Sequence, residues 1–286
     1  MKSFFVKYHW FLTLGFLAVS NLFIWNFVWS SDSSLRVYFL DVGQGDAILI
    51  KSPSGNKMLI DAGQGGAVLD SLSKSLPFHD RKIEVLLVTH SDADHIGGFI
   101  PILERFETDL IIESGVAHPT RIVDNFNYLA EESPAKRIVA ERGMFVDLGG
   151  GAVFVVLFPD RDVSGLNPND ASIVGKLFFG ENSFMLTGDA PIKIEEYLVF
   201  LDGEILKSDV LKVGHHGSKT STSDSFVKAV RPDIAVIQAG RDNKYGHPHK
   251  EVLETLQNNG VKTLGNYDLG TILFRSDGRT IKVRGL

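Results

Sequence analysis

The 286-residue sequence predicts a mixed α/β (α+β) fold, a four-layer αββα sandwich preceded by one N-terminal transmembrane helix. Three observations lead to this prediction. An uncharged apolar run occupies residues 10–29. In the remainder, short apolar stretches alternate with segments of helical spacing, as expected for two sheets covered by outer helices. Several of these stretches end in aspartate or histidine beside glycine, and a strand end is a rigid place to display functional side chains.

The N-terminal run has the length of a membrane span, roughly 20 residues. Lys2 and Lys7 precede it, which places the N-terminus in the cytoplasm and the rest of the chain outside. Tryptophans suited to the interfacial belts of the bilayer are Trp10, Trp25 and Trp29. We therefore predict a single-pass protein of the cell membrane, with an anchor over residues 1–30 and an extracytoplasmic domain over residues 31–286. A cleaved signal peptide is the alternative, although residues 27–32 contain no A-x-A cleavage pattern.

The composition excludes several kinds of site. The chain has no cysteine, which excludes disulfides, thiolate metal sites and a cysteine nucleophile. The net charge of -6 argues against a surface that is basic throughout. A phosphate-bearing ligand would then depend on bound cations or on one local basic patch.

The secondary structure follows from apolar runs bounded by turn residues. Strands are predicted over residues 36–41, 47–51, 57–60, 85–88, 110–113, 153–158, 172–179, 183–187, 210–213, 234–238, 270–274 and 280–283. Helices are predicted over residues 66–76, 96–105, 120–132, 191–200, 224–230 and 250–258. We find no internal repeat.

The segment after the strand at residues 85–88 carries four potential metal ligands within six residues: His90, Asp92, Asp94 and His95. Crowded carboxylates repel one another unless a cation is present. The segment therefore predicts a metal site, and the alternative is a solvated acidic turn with incidental histidines.

Other strands end in the same way. Asp61 follows one strand, Asp189 follows another, and the pair His215 and His216 follows a third. Taken singly, each is as readily a capping aspartate or an exposed histidine. Their recurrence beside glycines favours one shared site.

These motifs resemble those of the metallo-β-lactamase superfamily, whose metal-binding signature H-x-H-x-D-H appears here as H-x-D-x-D-H. Within it, the sequence is most similar to the metallo-β-lactamase-like nuclease domain of ComEC-type competence proteins. The matching segments, in order, are residues 39–46, 89–98, 169–172, 186–189, 211–218 and 245–249. The resemblance implies an αββα metallo-β-lactamase sandwich over nearly all of the chain beyond the anchor.

The resemblance also implies two divalent metal ions, Zn²⁺ or Mn²⁺. His90 and Asp92 would hold the first ion, and Asp94 and His95 the second. Asp189 would bridge the two ions. The second site would be completed by His215 or His216, and Asp61 would orient the ligand loop from behind.

Two departures from the family pattern affect the first metal. Asp92 stands where the family has a second histidine, and no histidine lies near Asn169 and Asp170, where a further ligand is expected. Asp170 or Asn169 either supplies the missing contact or only caps the loop before Ser172. The added oxygen donors favour harder ions such as Mn²⁺, whereas the general affinity order favours Zn²⁺.

Two metals about 3.5–4 Å apart activate a water and clamp a phosphodiester or a carbonyl. Asp94 is predicted to orient that water, and His247 to protonate the leaving oxygen. Predicted substrate contacts are Ser218, Lys219 and His249. Residues 207–250 contain eight Lys or Arg residues, one of which is Lys212, and four Asp residues. This basic stretch suits a phosphate backbone. An ordinary solvated surface, with loop histidines fixed by Pro248, is the alternative.

Together these features predict a membrane-anchored, extracytoplasmic phosphodiesterase or nuclease that acts on DNA in a ComEC-like role beside a channel partner. One alternative is a hydrolase of a small ester, such as a lactone, a β-lactam or a choline phosphoester. A second alternative is a catalytically silent DNA-binding partner of an uptake channel.

Overall fold

The computed structural model describes residues 2–29, 33–116 and 118–286. The chain divides into two compact units, Met1–Ser33 and Ser34–Leu286. The first unit contains helix α1, Lys2–Trp29. Over the part of α1 whose side chains are described, large apolar residues are exposed, including Trp10 and Phe16.

Among the residues that the structure describes, no helix combines the length and the apolar content needed to cross a membrane. The side chains of Lys2, Lys7, Trp25 and Trp29, on which the predicted topology depends, lie outside the described part of the chain. The transmembrane segment over residues 10–29 therefore stays a prediction.

The second unit contains two sheets. Within the described residues, the first sheet has eight strands in the order β15-β14-β1-β2-β3-β4-β5-β6. Its strands are β1 Leu35–Phe39, β2 Ile48–Lys51, β3 Lys57–Ile60, β4 Val85–Val88, β5 Leu110–Glu113, β6 Lys136–Val139, β14 Ile272–Ser276 and β15 Ile281–Gly285. From β3 to β6 the strands are parallel, so their carboxyl ends meet at one edge.

The second sheet has seven strands in the described part of the chain, in the order β13-β12-β11-β10-β9-β8-β7. Its strands are β7 Phe145–Gly149, β8 Ala152–Phe158, β9 Val174–Phe179, β10 Asn182–Leu186, β11 Val210–Lys212, β12 Ile234–Ile237 and β13 Lys262–Gly265. Strands β10 to β13 are parallel and again share a carboxyl edge.

Three apolar clusters hold the layers together. One lies between the sheets and includes Phe39, Phe154 and Phe184. A second packs helices α2 Ala67–Ser75, α3 Ala93–Ile96, α4 Phe99–Leu103 and α5 Arg121–Glu132 on the outer face of the first sheet. The third packs helices α6 Ile192–Asp202, α7 Asp224–Val230 and α8 Lys250–Asn258 on the second sheet, and a short helix α9, Asn266–Leu269, precedes β14. The predicted two-sheet mixed α/β fold is thus confirmed.

The segment predicted as one helix over residues 96–105 is two short helices, α3 and α4, separated by Gly97 and Gly98. Helix α3 begins at Ala93, inside the ligand motif rather than after it. The backbone of Gly98 packs directly against Ala62, where a Cβ would lie 1.9 Å from the Ala62 oxygen. Only glycine permits this approach, which fixes the ligand-bearing turn against the end of β3.

Candidate metal centre

Four buried side chains converge at the carboxyl edges of the two sheets: Asp46, His95, Asp189 and His216. One potential ligand atom from each lies within 4.8 Å of the others. Asp46 and His95 come from the first sheet, in the β1–β2 loop and in α3. Asp189 and His216 follow β10 and β11 of the second sheet. Both halves of the domain therefore contribute to one centre.

Asp46 is the functional residue that the sequence reasoning missed. It lies in a glycine-rich loop, and Gly45 approaches Asp94 so closely that a Cβ would lie 2.3 Å from the Asp94 oxygen. The Asp46 amide donates to that same oxygen at 3.3 Å. The available signal was the G-Q-G-D turn at residues 43–46, where two glycines release the backbone for a tight approach.

His95 is oriented by Asp61. The Asp61 Oδ2 atom lies 2.8 Å from His95 Nδ1, and the carboxylate also accepts hydrogen bonds from the Thr89 amide and hydroxyl. Since Nδ1 donates to Asp61, Nε2 is the nitrogen that faces the centre, and it would offer its lone pair to a metal after losing its proton. Asp61 has a left-handed φ of 54°, and these three hydrogen bonds hold it there.

His90 is fully buried and is held in a similar way. Its Nδ1 lies 3.0 Å from the Thr89 hydroxyl, which itself donates to Asp61. His90 Nδ1 is therefore the donor in this contact, and Nε2 carries the free lone pair. That Nε2 lies 3.7 Å from Asp92 Oδ2.

His216 and His215 occupy different positions. His216 Nδ1 donates to the Gln238 carbonyl at 2.9 Å, and its Nε2 lies 3.3 Å from Asp94 Oδ2 and 3.4 Å from Asp189 Oδ2. His215 is partly exposed, and its Nε2 is 3.8 Å from Asp189 Oδ2. Both histidines have left-handed φ values, 55° and 47°. His216 thus lies inside the cluster, and His215 lies at its rim.

Opposite charges dominate the electrostatics of the centre. Burial would raise the pKa of Asp189, but the charges of His216, His95 and Lys212 lower it well below its ordinary value. Burial would also raise the pKa of Asp94, and the contact with His216, together with the charge of His95, lowers it below its usual range. Burial lowers the pKa of His95, whereas Asp189 raises it well above its ordinary value. The metal-free centre is therefore a set of ionised pairs.

Lys212 belongs to this set. Solvent does not reach its side chain, which ion-pairs with Asp46 and donates to the Gly188 carbonyl at 2.7 Å. Its Nζ also lies 3.5 Å from Asp189 Oδ1. The prediction that Lys212 contributes to a cationic surface is therefore wrong, because two carboxylates and a carbonyl hold it in the interior.

The donor set fits a divalent metal. Within the described residues, no hydrogen-bond partner reaches the Nε2 atoms of His90, His95 and His216, although all three are buried. Unpaired buried polar atoms are costly. Their distances to carboxylate oxygens, 3.3 to 3.7 Å, are longer than the roughly 2.7–3.2 Å typical of an N–H···O hydrogen bond. Such distances match neighbouring ligands on one ion, about 3.4 Å for tetrahedral bonds of 2.0–2.1 Å.

The loop around residue 170 contributes differently from the expectation. Asp170 Oδ2 lies 2.6 Å from Lys193 Nζ, so its partner is a lysine near the surface. The Asn169 Oδ1 atom is buried and has no hydrogen-bond partner in the described chain. Ser172, which the sequence did not single out, places its hydroxyl 3.4 Å from His90 Nδ1. This loop supports His90 through Ser172.

His247 lies beside the cluster, with its ring centroid 5.7 Å from that of His215 and 6.3 Å from that of His216. Burial, together with the charges of His216 and His215, lowers the pKa of His247 to about 4. The imidazole is therefore neutral near pH 7. It is suited to hydrogen bonding with a substrate, and it does not hold the proton that the predicted general acid would deliver.

The other predicted substrate contacts lie in the loop after His216. His249 Nδ1 accepts a hydrogen bond from the Lys219 amide at 3.0 Å, and the buried Ser218 hydroxyl accepts from Thr220. These two side chains shape the loop, whereas the side chain of Lys219 is exposed.

The basic stretch at residues 207–250 is partly neutralised. Besides Lys212, three of its cations pair with acidic residues, in the pairs Lys228–Asp224, Arg231–Glu204 and Lys250–Glu254. Lys219 and Lys244 are exposed on the loops that carry His216 and His247. Exposed positive charge in this stretch therefore includes the loops that carry the candidate site residues.

A cavity of about 500 Å³ opens beside the metal centre. His90 and Ser91 form one wall, and the cavity extends to Asn127 and to Arg137, whose guanidinium pairs with Glu113 at 2.8 Å. The centre thus adjoins a space with both apolar and hydrogen-bonding walls.

Comparison with known proteins agrees with this architecture. Residues 40–241 match the family described as the metallo-beta-lactamase superfamily. The chain is 32% identical over 264 residues to ComE operon protein 3 of Bacillus subtilis, covering 85% of this chain and 33% of that protein. It is 31% identical over 244 residues to competence protein ComA of Neisseria gonorrhoeae, covering 85% of this chain and 32% of that protein. The chain therefore spans about a third of each of these relatives.

The fold is also similar to that of YhfI from Bacillus subtilis, a metallo-beta-lactamase fold protein of known crystal structure. The TM-score is 0.53 at 12% sequence identity, with 82% of this chain and 96% of that chain covered. At this identity the likeness concerns the fold alone.

Proposed function

The chain belongs to the metallo-β-lactamase superfamily as a metal-dependent hydrolase related to competence proteins, and from this premise we propose that it hydrolyses phosphodiester bonds in DNA. The observation that carries the proposal is the convergence of carboxylates and unpaired imidazole Nε2 atoms at one buried site. We propose that this set holds two divalent ions, Zn²⁺ or Mn²⁺. Bound ions of this kind activate water and stabilise charge on a reacting phosphate.

The residues of the chain then have distinct tasks. Asp61 and Gln238 fix His95 and His216 through their Nδ1 atoms, which keeps the ligand nitrogens pointed at the metals. Asp94, which is ionised and partly buried, is placed to accept a hydrogen bond from an attacking water. The neutral His247 contributes a hydrogen bond to the substrate at the mouth of the centre.

Two features favour a phosphodiester over a small neutral ester. Lys219 and Lys244 are exposed at the mouth, where cations attract a phosphate backbone. The adjoining cavity of about 500 Å³ has room for a nucleoside, and its wall carries a polar group in which Arg137 donates to Glu113 and Asn127. A pocket for a simple lactone needs neither feature.

For location, we propose that α1 anchors the chain in the cell membrane and that the catalytic domain is extracytoplasmic, beside a channel partner. The support is the uncharged run over residues 10–29 and the exposed apolar side chains of the described part of α1. Protease added to intact cells should degrade the domain. In a separate sample without protease, the protein should remain in the membrane fraction after carbonate extraction. Release by carbonate would contradict the anchor.

The test of activity uses the full chain, stripped of metal and then supplied with Mn²⁺ or Zn²⁺. Single- and double-stranded DNA are assayed beside a lactone, a β-lactam and a choline phosphoester. We expect DNA cleavage that is lost with Asp189→Ala. Hydrolysis of a small ester with DNA left intact would overturn the phosphodiesterase proposal, and DNA binding without any hydrolysis would identify a silent partner.

A further inference from the structure

Asp92 faces two different histidines. Its Oδ2 atom lies 3.7 Å from His90 Nε2, and its Oδ1 atom lies 3.6 Å from His118 Nδ1. The contact with His118 was not expected, because His118 stands alone in the sequence, outside every motif.

The two nitrogens that face Asp92 share an unusual property. Within the part of the chain that the structure describes, neither His90 Nε2 nor His118 Nδ1 has a hydrogen-bond partner, and both atoms are buried. His90 as a whole is fully buried, and its other nitrogen is occupied by Thr89. Nitrogen–oxygen distances of 3.6 and 3.7 Å are too long for hydrogen bonds. They are close to the ligand spacing of about 3.4 Å around a tetrahedral ion with bonds of 2.0–2.1 Å.

The topology explains how His118 reaches this place. Strands β4 and β5 are parallel neighbours, with Val88 opposite Glu113. His90 follows β4, and His118 lies in the loop between β5 and α5, at the same carboxyl edge. The side chain of His118 is 44% exposed and lines the cavity beside the centre, so it approaches from the substrate side.

We propose that His118 is a ligand of the first metal, together with His90 and Asp92. This inference rests on the proposed two-metal site. It assigns to the β5–α5 loop the ligand that the resemblance placed near Asn169 and Asp170. The first ion would be held by the first sheet alone, whereas the second would be held between both sheets by donors from Asp46, Asp94, His95, Asp189 and His216. Because His118 is exposed toward the cavity, the first ion should be the weaker and more exchangeable of the two.

The test is metal binding by the full chain, using Co²⁺ and Zn²⁺ as probes, with stoichiometry by elemental analysis and affinity by calorimetry. We expect two ions per chain in the wild type. In His118→Ala, one ion should stay tight and the other should weaken at least tenfold. His79→Ala, in an exposed loop, is the matched control and should behave as the wild type.

A second variant reports ligation directly. His118→Cys loaded with Co²⁺ should show a thiolate-to-cobalt charge-transfer band in the near ultraviolet, which a merely structural role would not produce. Two ions bound at unchanged affinity in His118→Ala, or a loss of the weak ion in Asn169→Ala alone, would overturn the assignment of His118. A wild type that binds a single ion would overturn the two-metal proposal itself, so the two failures are distinguishable.

Discussion

Lys212 ion-pairs with Asp46 at the base of the metal centre, where solvent reaches neither side chain. Burial lowers the pKa of Lys212, but Asp46 and Asp189 raise it above its ordinary value, so the ammonium keeps its charge. Lys212 therefore offsets part of the negative charge of Asp46 and Asp189 before any metal binds. This relationship leads to the first prediction.

Lys212→Met should destabilise the metal-free protein by about 3–5 kcal/mol, because removing one partner leaves a buried charge uncompensated. Saturating Zn²⁺ should recover much of the loss, since the ion supplies positive charge beside the same carboxylates. The measurement is the free energy of unfolding in urea, with chelator and with Zn²⁺. Lys228→Met, which removes an exposed pair with Asp224, is the matched control and should change little. Equal stability of Lys212→Met and wild type in chelator would contradict this account.

Asp61→Asn should weaken metal binding by about 10- to 100-fold, the usual cost of losing the group that orients a ligand. The amide no longer accepts reliably from both Thr89 and His95 Nδ1, so the imidazole loses its fixed tautomer. Competition with a chromophoric chelator measures the affinity. Asp70→Asn, on the exposed face of α2, is the control. Unchanged affinity in Asp61→Asn would show that His95 is held by its backbone alone.

Metal uptake should release protons. Burial lowers the pKa of His216, but Asp189 and Asp46 raise it to about 10, so metal-free His216 is protonated near pH 7.5. A ligand nitrogen must lose its proton before it binds. Apparent affinity should therefore rise with pH, by about tenfold per unit for each proton released. Calorimetry in two buffers of different ionisation enthalpy measures this release, and identical heats in both buffers would count against it.

Glu195 should make stability depend on pH. It lies buried in α6 and accepts hydrogen bonds from the amides of Thr222 and Ser223, which anchor the loop beyond His216. Burial raises the pKa of Glu195 from 4.5 to about 7. Because the folded pKa lies above the ordinary value, its contribution to stability is full below about pH 4.5 and is lost as the pH rises through about 7.

Relative to Glu195→Gln, the metal-free wild type should therefore lose up to about 3 kcal/mol of stability between pH 4.5 and pH 8, since one pKa unit corresponds to about 1.4 kcal/mol. Urea unfolding of both proteins across this range gives the difference. Glu196→Gln on the same helix is the control. Parallel stability curves for wild type and Glu195→Gln would rule out a raised pKa at Glu195.

The sequence predicted most of the interior of the fold. Three strands were missed, β6, β7 and β13, and each lies at an edge of its sheet. Edge strands bury one side at most and carry polar residues that mask the apolar pattern. Lys136–Val139, for example, has two basic residues among its four and no buried position.

The sequence also predicted only those residues of the centre that their neighbours in the chain mark. Asp189 and His216 stand beside glycines, and Asp94 lies among four potential ligands within six residues, so the chain itself marks them. Lys212 lies in an apolar strand, and its burial becomes intelligible only when Asp46, from the other sheet, is placed next to it. His118 has no marked neighbours, and only the parallel pairing of β4 and β5 brings it to Asp92. Contacts made between distant segments leave no trace in local spacing.

The division of the donors between two sheets affects when the protein matures. Asp46 and His216 lie 170 positions apart, and the first sheet is completed only by β14 and β15, which follow both residues in the chain. Until residues 189–216 have been synthesised, the chain lacks two donors of the second ion, Asp189 and His216. Capture of the second ion should therefore be a late event in biogenesis, and a centre with both ions bound would mark a chain whose two sheets have come together.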